Sequence, residues 1–177
     1  TRRFPKRYEP KKDRGNVARI SHISSLDMAQ GSWLILSQAG YQLQPVASDL
    51  KSNGYLFTYR GHRSISEKIS DAVNGWEQMR KGKEISGEVA RKIYSYMSTG
   101  NRITRGYKKL RDLDDDDMVT MEDLISKHGL LADPKLIWSE AMDKMPEIDR
   151  AYITAMLRRG EKFNGIPRIH GPECRGR

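Results

Sequence analysis

Apolar positions recur along this chain with two different periods, and the change falls near residue 64. Before it, Trp33-Leu34-Ile35-Leu36 forms a continuous apolar run behind Gly31-Ser32, a pattern that predicts a strand buried on both faces, as in a parallel sheet. From Tyr41 to Lys51, Leu43, Val46, Ala47 and Leu50 fall at i, i+3, i+4 and i+7, which predicts an amphipathic helix. Pro45 lies in the first turn of that helix, where the missing N–H is not needed. Asn53-Gly54 supplies a left-handed end. The aromatic-rich Tyr55-Leu56-Phe57-Thr58-Tyr59 predicts a second strand. Strand, helix and strand over about 30 residues make one βαβ unit, whose crossover should be right-handed. Val17-Ala18-Arg19-Ile20-Ser21, following the turn Asp13-Arg14-Gly15-Asn16, predicts a short edge strand.

Beyond residue 64 the period becomes helical. Ser64 or Ser66 is placed to cap a helix carrying Ile69, Val73, Trp76 and Met79, with Glu67 in the first turn to complement the helix dipole. Ser86 caps a second helix with Val89, Ile93 and Met97. Thr120 and Asp123 form a capping box before Leu124 and Ile125, and Gly129 ends that short helix. Pro134 predicts the start of a helix through Leu136, Ile137, Trp138, Ala141 and Met145, which Pro146 breaks. Ile148 to Arg159 predicts the last helix. Asp114 to Asp117 read as a solvated acidic loop. The expected fold is α/β, a small parallel βαβ portion over residues 1–63, followed by an all-α subdomain over 64–165 and a tail over 166–177.

Composition narrows the function classes. The chain has 177 residues, 37% hydrophobic and 31% charged, enough for one good core or two small subdomains with a well-solvated surface. No run approaches the roughly 20 apolar residues of a membrane span, so no membrane association is expected. One cysteine, Cys174, excludes an internal disulfide and fits a reducing cytoplasm. His22, His62, His128 and His170 have no ligand spacing, so no metal site is expected. The net charge is +9, and residues 1–19 hold eight Lys or Arg against Glu9 and Asp13, so six of those nine charges fall there. Arg3, Lys6 and Arg7 belong to this segment, which has the character of a nucleic-acid contact or, equally, of a solvated tail.

Motifs for catalysis are missing. The sequence has no Gly-x-x-x-x-Gly-Lys-Ser/Thr phosphate loop and no apolar strand ending in Asp-Glu to hold magnesium. It has no Gly-x-Ser-x-Gly elbow and no His-Glu-x-x-His helix. Read alone, the residues describe a binding or structural domain.

The stretch Gly31 to Tyr41 (Gly-Ser-Trp-Leu-Ile-Leu-Ser-Gln-Ala-Gly-Tyr), with Leu50 to Gly61 (Leu-Lys-Ser-Asn-Gly-Tyr-Leu-Phe-Thr-Tyr-Arg-Gly), resembles the second motor domain of UvrD/Rep-type superfamily 1 DNA helicases. The family continues with a Phe-Phe-Glu-Arg-x-Glu-Ile-Lys-Asp helix start. Here Arg63, Ile69, Asp71 and Ala72 keep that pattern and the aromatic pair is lost. Tyr-Arg-Gly followed by Ser-Ile-Ser-Glu-Lys is similar to a phage- and plasmid-like branch. Thr104-Arg105-Gly106-Tyr107 is similar to the Thr-Arg-Gly-Ile-Gly turn of the helical 2B domain, where backbone amides approach duplex phosphate. Ile169-His170-Gly171 resembles the start of the Ile-His-x-Ala-Lys-Gly motif, with Pro172-Glu173-Cys174 in place of its second half.

The resemblance implies a fragment of an ATP-dependent helicase. It comprises part of a RecA-like second motor domain (1–63), a 2B-like helical insertion (64–165) and a truncated return to the motor domain (166–177). ATP and magnesium would be held by the parent protein and no cofactor by this fragment, which is expected to lack ATPase activity by itself. The implied partners are single-stranded DNA, the duplex junction and the remaining motor domains. Where the family often has Arg-Ser/Thr-Asn, this chain has Ser37-Gln38-Ala39, leaving Gln38 as the side chain able to hydrogen-bond a base or phosphate. Arg60, Gly61 and Arg63 sit where the family places single-stranded DNA, and Arg105 and Gly106 where it meets the duplex, with Lys108 beside them in a run that reads otherwise as a charged loop. Arg63 has a competing role, pairing with Glu67 across one helical turn. Trp33, Trp76 and Trp138 lie on apolar stretches, for core packing rather than base stacking. A stand-alone, non-enzymatic nucleic-acid-binding phage or regulatory protein is the alternative, and a scaffold that binds only protein is a third.

Overall fold

Caps and turns written into the sequence set the observed elements. The computed structural model describes residues 18–28, 31–105, 110 and 113–163. The basic segment 1–17 and the tail 166–177 therefore lie outside the described residues. The chain divides into two units, residues 1–46 and 47–177.

In the first unit the described residues form 3-10 turns at Ile23–Ser25 and Gly40–Gln42, followed by the start of helix α1 (Leu43–Ser52). The strand expected at Trp33–Leu36 is absent. Leu34 and Leu36 are 82% and 81% exposed and Trp33 is 49% exposed. A strand buried on both faces exists only when neighbours cover both, and among the described residues no strand pairs with this run. Trp33 is correspondingly not a core residue. Nor do residues 18–21 form an edge strand.

The second unit begins within α1, which ends as expected. Gly54 has φ of +72°; its N–H donates to the Lys51 carbonyl and that of Tyr55 to the Leu50 carbonyl, both at 2.9 Å, the paired bonds of a Schellman end. The chain then enters a hairpin rather than a parallel strand. β1 (Thr58–Tyr59) pairs antiparallel with β2 (His62–Arg63), in register Thr58 to Arg63 and Tyr59 to His62. This overturns the parallel βαβ expectation. The two central residues, Arg60 and Gly61, have φ of +51° and +79°, and positive φ at both is what a two-residue type I′ hairpin turn requires.

Helices follow, as the period change predicts. α2 (Glu67–Arg80) is capped by Ser66 and α3 (Gly87–Ser95) by Ser86, each hydroxyl accepting from a backbone N–H three residues on. α4 (Met121–Ser126) carries the full Thr120–Asp123 capping box. Only Trp138–Ala141 (α5) of the span from Pro134 to Met145 is helical. α6 (Glu147–Arg158) is the last among the described residues. The helical part is not purely α: β3 (Ile85–Ser86) pairs antiparallel with β4 (Met118–Val119). Among the described residues the fold is thus a mixture of helices with two small antiparallel sheets.

Its core gathers Val73, Trp76 and Met79 of α2, Ile93 and Tyr94 of α3, Leu124 of α4, Trp138 of α5, and Ile153 and Met156 of α6. Trp76 is fully buried, and its indole N–H donates to the Leu136 carbonyl at 2.9 Å. Lys92 Nζ lies 2.7 Å from both Asp71 and Glu88, tying α3 to α2. The acidic run is exposed, but it is not merely solvated. The carbonyls of Asp117 and Asp115 accept the Gly87 and Glu88 N–H groups at 2.8 and 3.3 Å, satisfying donors that the start of α3 leaves unpaired. Arg91 holds the same loop through the Leu113 carbonyl at 2.8 Å and through Asp115.

Candidate nucleic-acid interface

The hairpin builds the candidate site from its tip downward. Arg60, Gly61, His62 and Arg63 are all exposed. Arg60 is a non-glycine residue with positive φ, a conformation that costs an L-residue roughly 1–2 kcal/mol, and its guanidinium lies 5.3 Å from the Tyr59 ring centroid. An ideal Cβ on Gly61 would meet nothing within 4 Å, so its backbone is open to approach. Arg63 forms no ion pair with Glu67 or with any other carboxylate among the described residues. The tip thus brings Arg60, Gly61 and Arg63 together.

The base of the hairpin is locked from below. The Ser64 N–H donates to the Phe57 carbonyl at 2.9 Å, and the Phe57 N–H to Ser64 Oγ at 3.2 Å. The Tyr152 hydroxyl of α6 donates to the Tyr55 carbonyl at 2.6 Å and lies 2.7 Å from Ser64 Oγ. Burial, followed by the Glu161 carboxylate, raises the Tyr152 pKa, while the Ser64 hydrogen bond opposes this. The Arg159 guanidinium stacks 3.9 Å from the Tyr55 ring centroid, and Lys51 Nζ lies 5.7 Å from that of Tyr152. Sequence reasoning gave Lys51, Tyr55, Ser64, Tyr152 and Arg159 no place in a site. The only signal was the Arg158-Arg159 pair at the end of a helix, an ordinary complement to its dipole.

The remaining candidates are dispersed. Gln38 is exposed in the first unit, beside a turn in which Ser37 Oγ donates to Gln42 Oε1 at 2.6 Å. Arg105 is exposed at the end of a braced loop: Asp143 accepts from the Ser98 N–H at 2.7 Å and also bonds the Ser98 hydroxyl, and the Thr104 N–H donates to the Gly129 carbonyl at 2.8 Å. Arg3, Lys6, Arg7, Gly106 and Lys108 lie outside the described residues.

Among the described residues no His, Cys, Asp and Glu side chains are grouped so as to hold a metal ion, and no helix is long and apolar enough to cross a membrane. A shallow recess of about 320 Å³ is lined by Arg91, Leu113, Asp114 and Asp115, where Arg91 and backbone groups of the acidic loop brace the start of α3. No model of a known protein family, no curated protein and no solved structure matches the chain.

Proposed function

We propose that this chain is a DNA-contacting portion of a UvrD/Rep-type, ATP-dependent DNA helicase, meeting single-stranded DNA through the hairpin tip and the duplex junction through the loop at Arg105. The observation that carries the reading is the hairpin Thr58–Arg63, a turn that presents two arginines, without carboxylate partners among the described residues, around an open glycine. Arginine matches phosphate with a planar fork of donors, and Tyr59 supplies a ring face beside it on which a base stacks. The residues present do not fit ATP or magnesium, since the sequence has neither a phosphate loop nor an Asp-Glu strand end. Nucleotide hydrolysis accordingly belongs to other motor-domain segments of a parent protein in the cytoplasm.

Fluorescence anisotropy of a labelled single-stranded oligonucleotide, titrated with the chain at several salt concentrations, tests the hairpin. For single strands, log affinity falls with log salt by about 0.7 per phosphate contact. Arg60→Ala and Arg63→Ala should each weaken binding and make the slope shallower by about that amount. Wild-type affinity and slope in both variants would make the turn purely structural. Reading the gene outward from both ends tests the parent: an upstream Gly-Lys-Thr phosphate loop supports a helicase, whereas flanking start and stop codons would overturn it in favour of a stand-alone nucleic-acid-binding protein.

A further inference from the structure

We infer that Lys51 and Arg159 form a second phosphate-contacting pair, at the base of the hairpin, which extends the single-stranded DNA path from the tip toward the end of α6. The inference rests on the nucleic-acid reading above and adds two residues that come from opposite ends of the second unit. The Schellman end of α1 brings them together. An ideal Cβ on Gly54 would stand 2.6 Å from the Ala155 carbonyl carbon and 2.7 Å from the Met156 nitrogen, so the chain at Gly54 rests directly on the α6 backbone. Lys51 and Tyr55 are thereby laid against Tyr152 and Arg159.

The two cations are pre-positioned rather than merely present. Each lies over an aromatic face, Arg159 over Tyr55 and Lys51 over Tyr152, and the two rings are joined by the Tyr152 hydroxyl bond to the Tyr55 carbonyl. A cation held over a ring keeps its charge and its N–H donors, while the stacking limits the side-chain freedom otherwise lost on binding. Neither cation has an ion-pair partner among the described residues. A carboxylate near the pair is that of Glu161, which contributes to raising the Tyr152 pKa. The same Tyr152 hydroxyl reaches Ser64 at the foot of the hairpin, so one buried side chain anchors both the hairpin and the site of the two cations. A flexible polyanion fits a surface with cations at both its ends.

The test uses the full chain with Lys51→Gln, Arg159→Gln and the double variant, each checked for unaltered far-UV circular dichroism. Binding of a fluorescein-labelled single-stranded oligonucleotide is measured by anisotropy across a salt series. The expected result is a salt slope shallower by about 0.7 in each single variant and about 1.4 in the double. Partial rescue by Lys51→Arg and tighter binding by Glu161→Gln are also expected. An unchanged slope in the double variant, with Arg60→Ala and Arg63→Ala still weakening binding, overturns this pair and leaves the hairpin reading intact. Wild-type chain that binds no single-stranded oligonucleotide at low salt overturns both. A drop in melting temperature of the double variant without a change in slope shows that the two cations serve only the helix ends, and also overturns the inference.

Discussion

Replacing Trp76 by alanine is expected to remove a large part of the stability of the second unit. The ring is fully buried, so truncation forfeits the stabilisation gained by burying its whole surface. A tryptophan buries some 150–250 Å², which at about 25 cal/mol per Å² amounts to about 4–6 kcal/mol. Measured large-to-alanine replacements of aromatic core residues fall at about 3–5 kcal/mol, because the cavity relaxes in part. The loss also removes the hydrogen bond to the half-buried Leu136 carbonyl, which accepts the indole N–H at 2.9 Å, a contribution of roughly 0.5–1.5 kcal/mol. We therefore expect at least about 3 kcal/mol, against a total stability of about 5–15 kcal/mol for a domain of this kind. Urea unfolding followed by far-UV circular dichroism reads the change, since fluorescence would also report Trp33 and Trp138. Trp76→Phe guards against a variant that fails to fold: it keeps a ring, loses the hydrogen bond, and should fall between the other two. A loss below about 1 kcal/mol for Trp76→Ala would refute the burial and reopen base stacking as the role of this ring.

Two further outcomes follow from the same structure. Gly54→Ala places a Cβ against the α6 backbone at a φ of +72°, so thermal melts should show a loss exceeding the roughly 1 kcal/mol of the left-handed conformation alone; a variant as stable as wild type would deny the close packing of α1 on α6. Asp123 has its pKa lowered, first by its Lys127 hydrogen bond and next by Thr120, so its contribution is complete above the unfolded carboxylate range near 3.9 and is lost as pH falls below it. Acid melts of Asp123→Asn should accordingly show a smaller loss of stability between about pH 5 and pH 2 than wild type does, and parallel curves would contradict the capping role.

Local signals in this sequence proved readable because each is complete within a few residues. Ser66, Ser86 and the Thr120–Asp123 pair cap the helices they were expected to cap, and Asn53-Gly54 ends α1. A cap needs only its own first turn, so its geometry is carried by neighbours in the chain. The helical period likewise placed Val73, Trp76 and Ile93 on buried faces. At the candidate site, the residues around Gly61 could be read as a cationic turn, because glycine flanked by arginines after an aromatic strand is a local pattern.

What the sequence could not decide was everything that depends on a partner distant in the chain. The run Trp33–Leu36 has the composition of a central strand, yet a strand is defined by its neighbours, and none of the described strands pairs with it. Tyr55–Tyr59 has equal claim to a parallel strand or to one arm of a hairpin. The positive φ of Arg60, which intrinsic preference opposes, settles the hairpin, and it is held by the ladder and by Ser64 and Tyr152 beneath it. Lys51 and Arg159 are ordinary helix-end cations when read along the chain. Only the packing of Gly54 on α6, across about a hundred residues, turns them into neighbours, because contact in a folded chain is set by the closure of its core rather than by position in sequence.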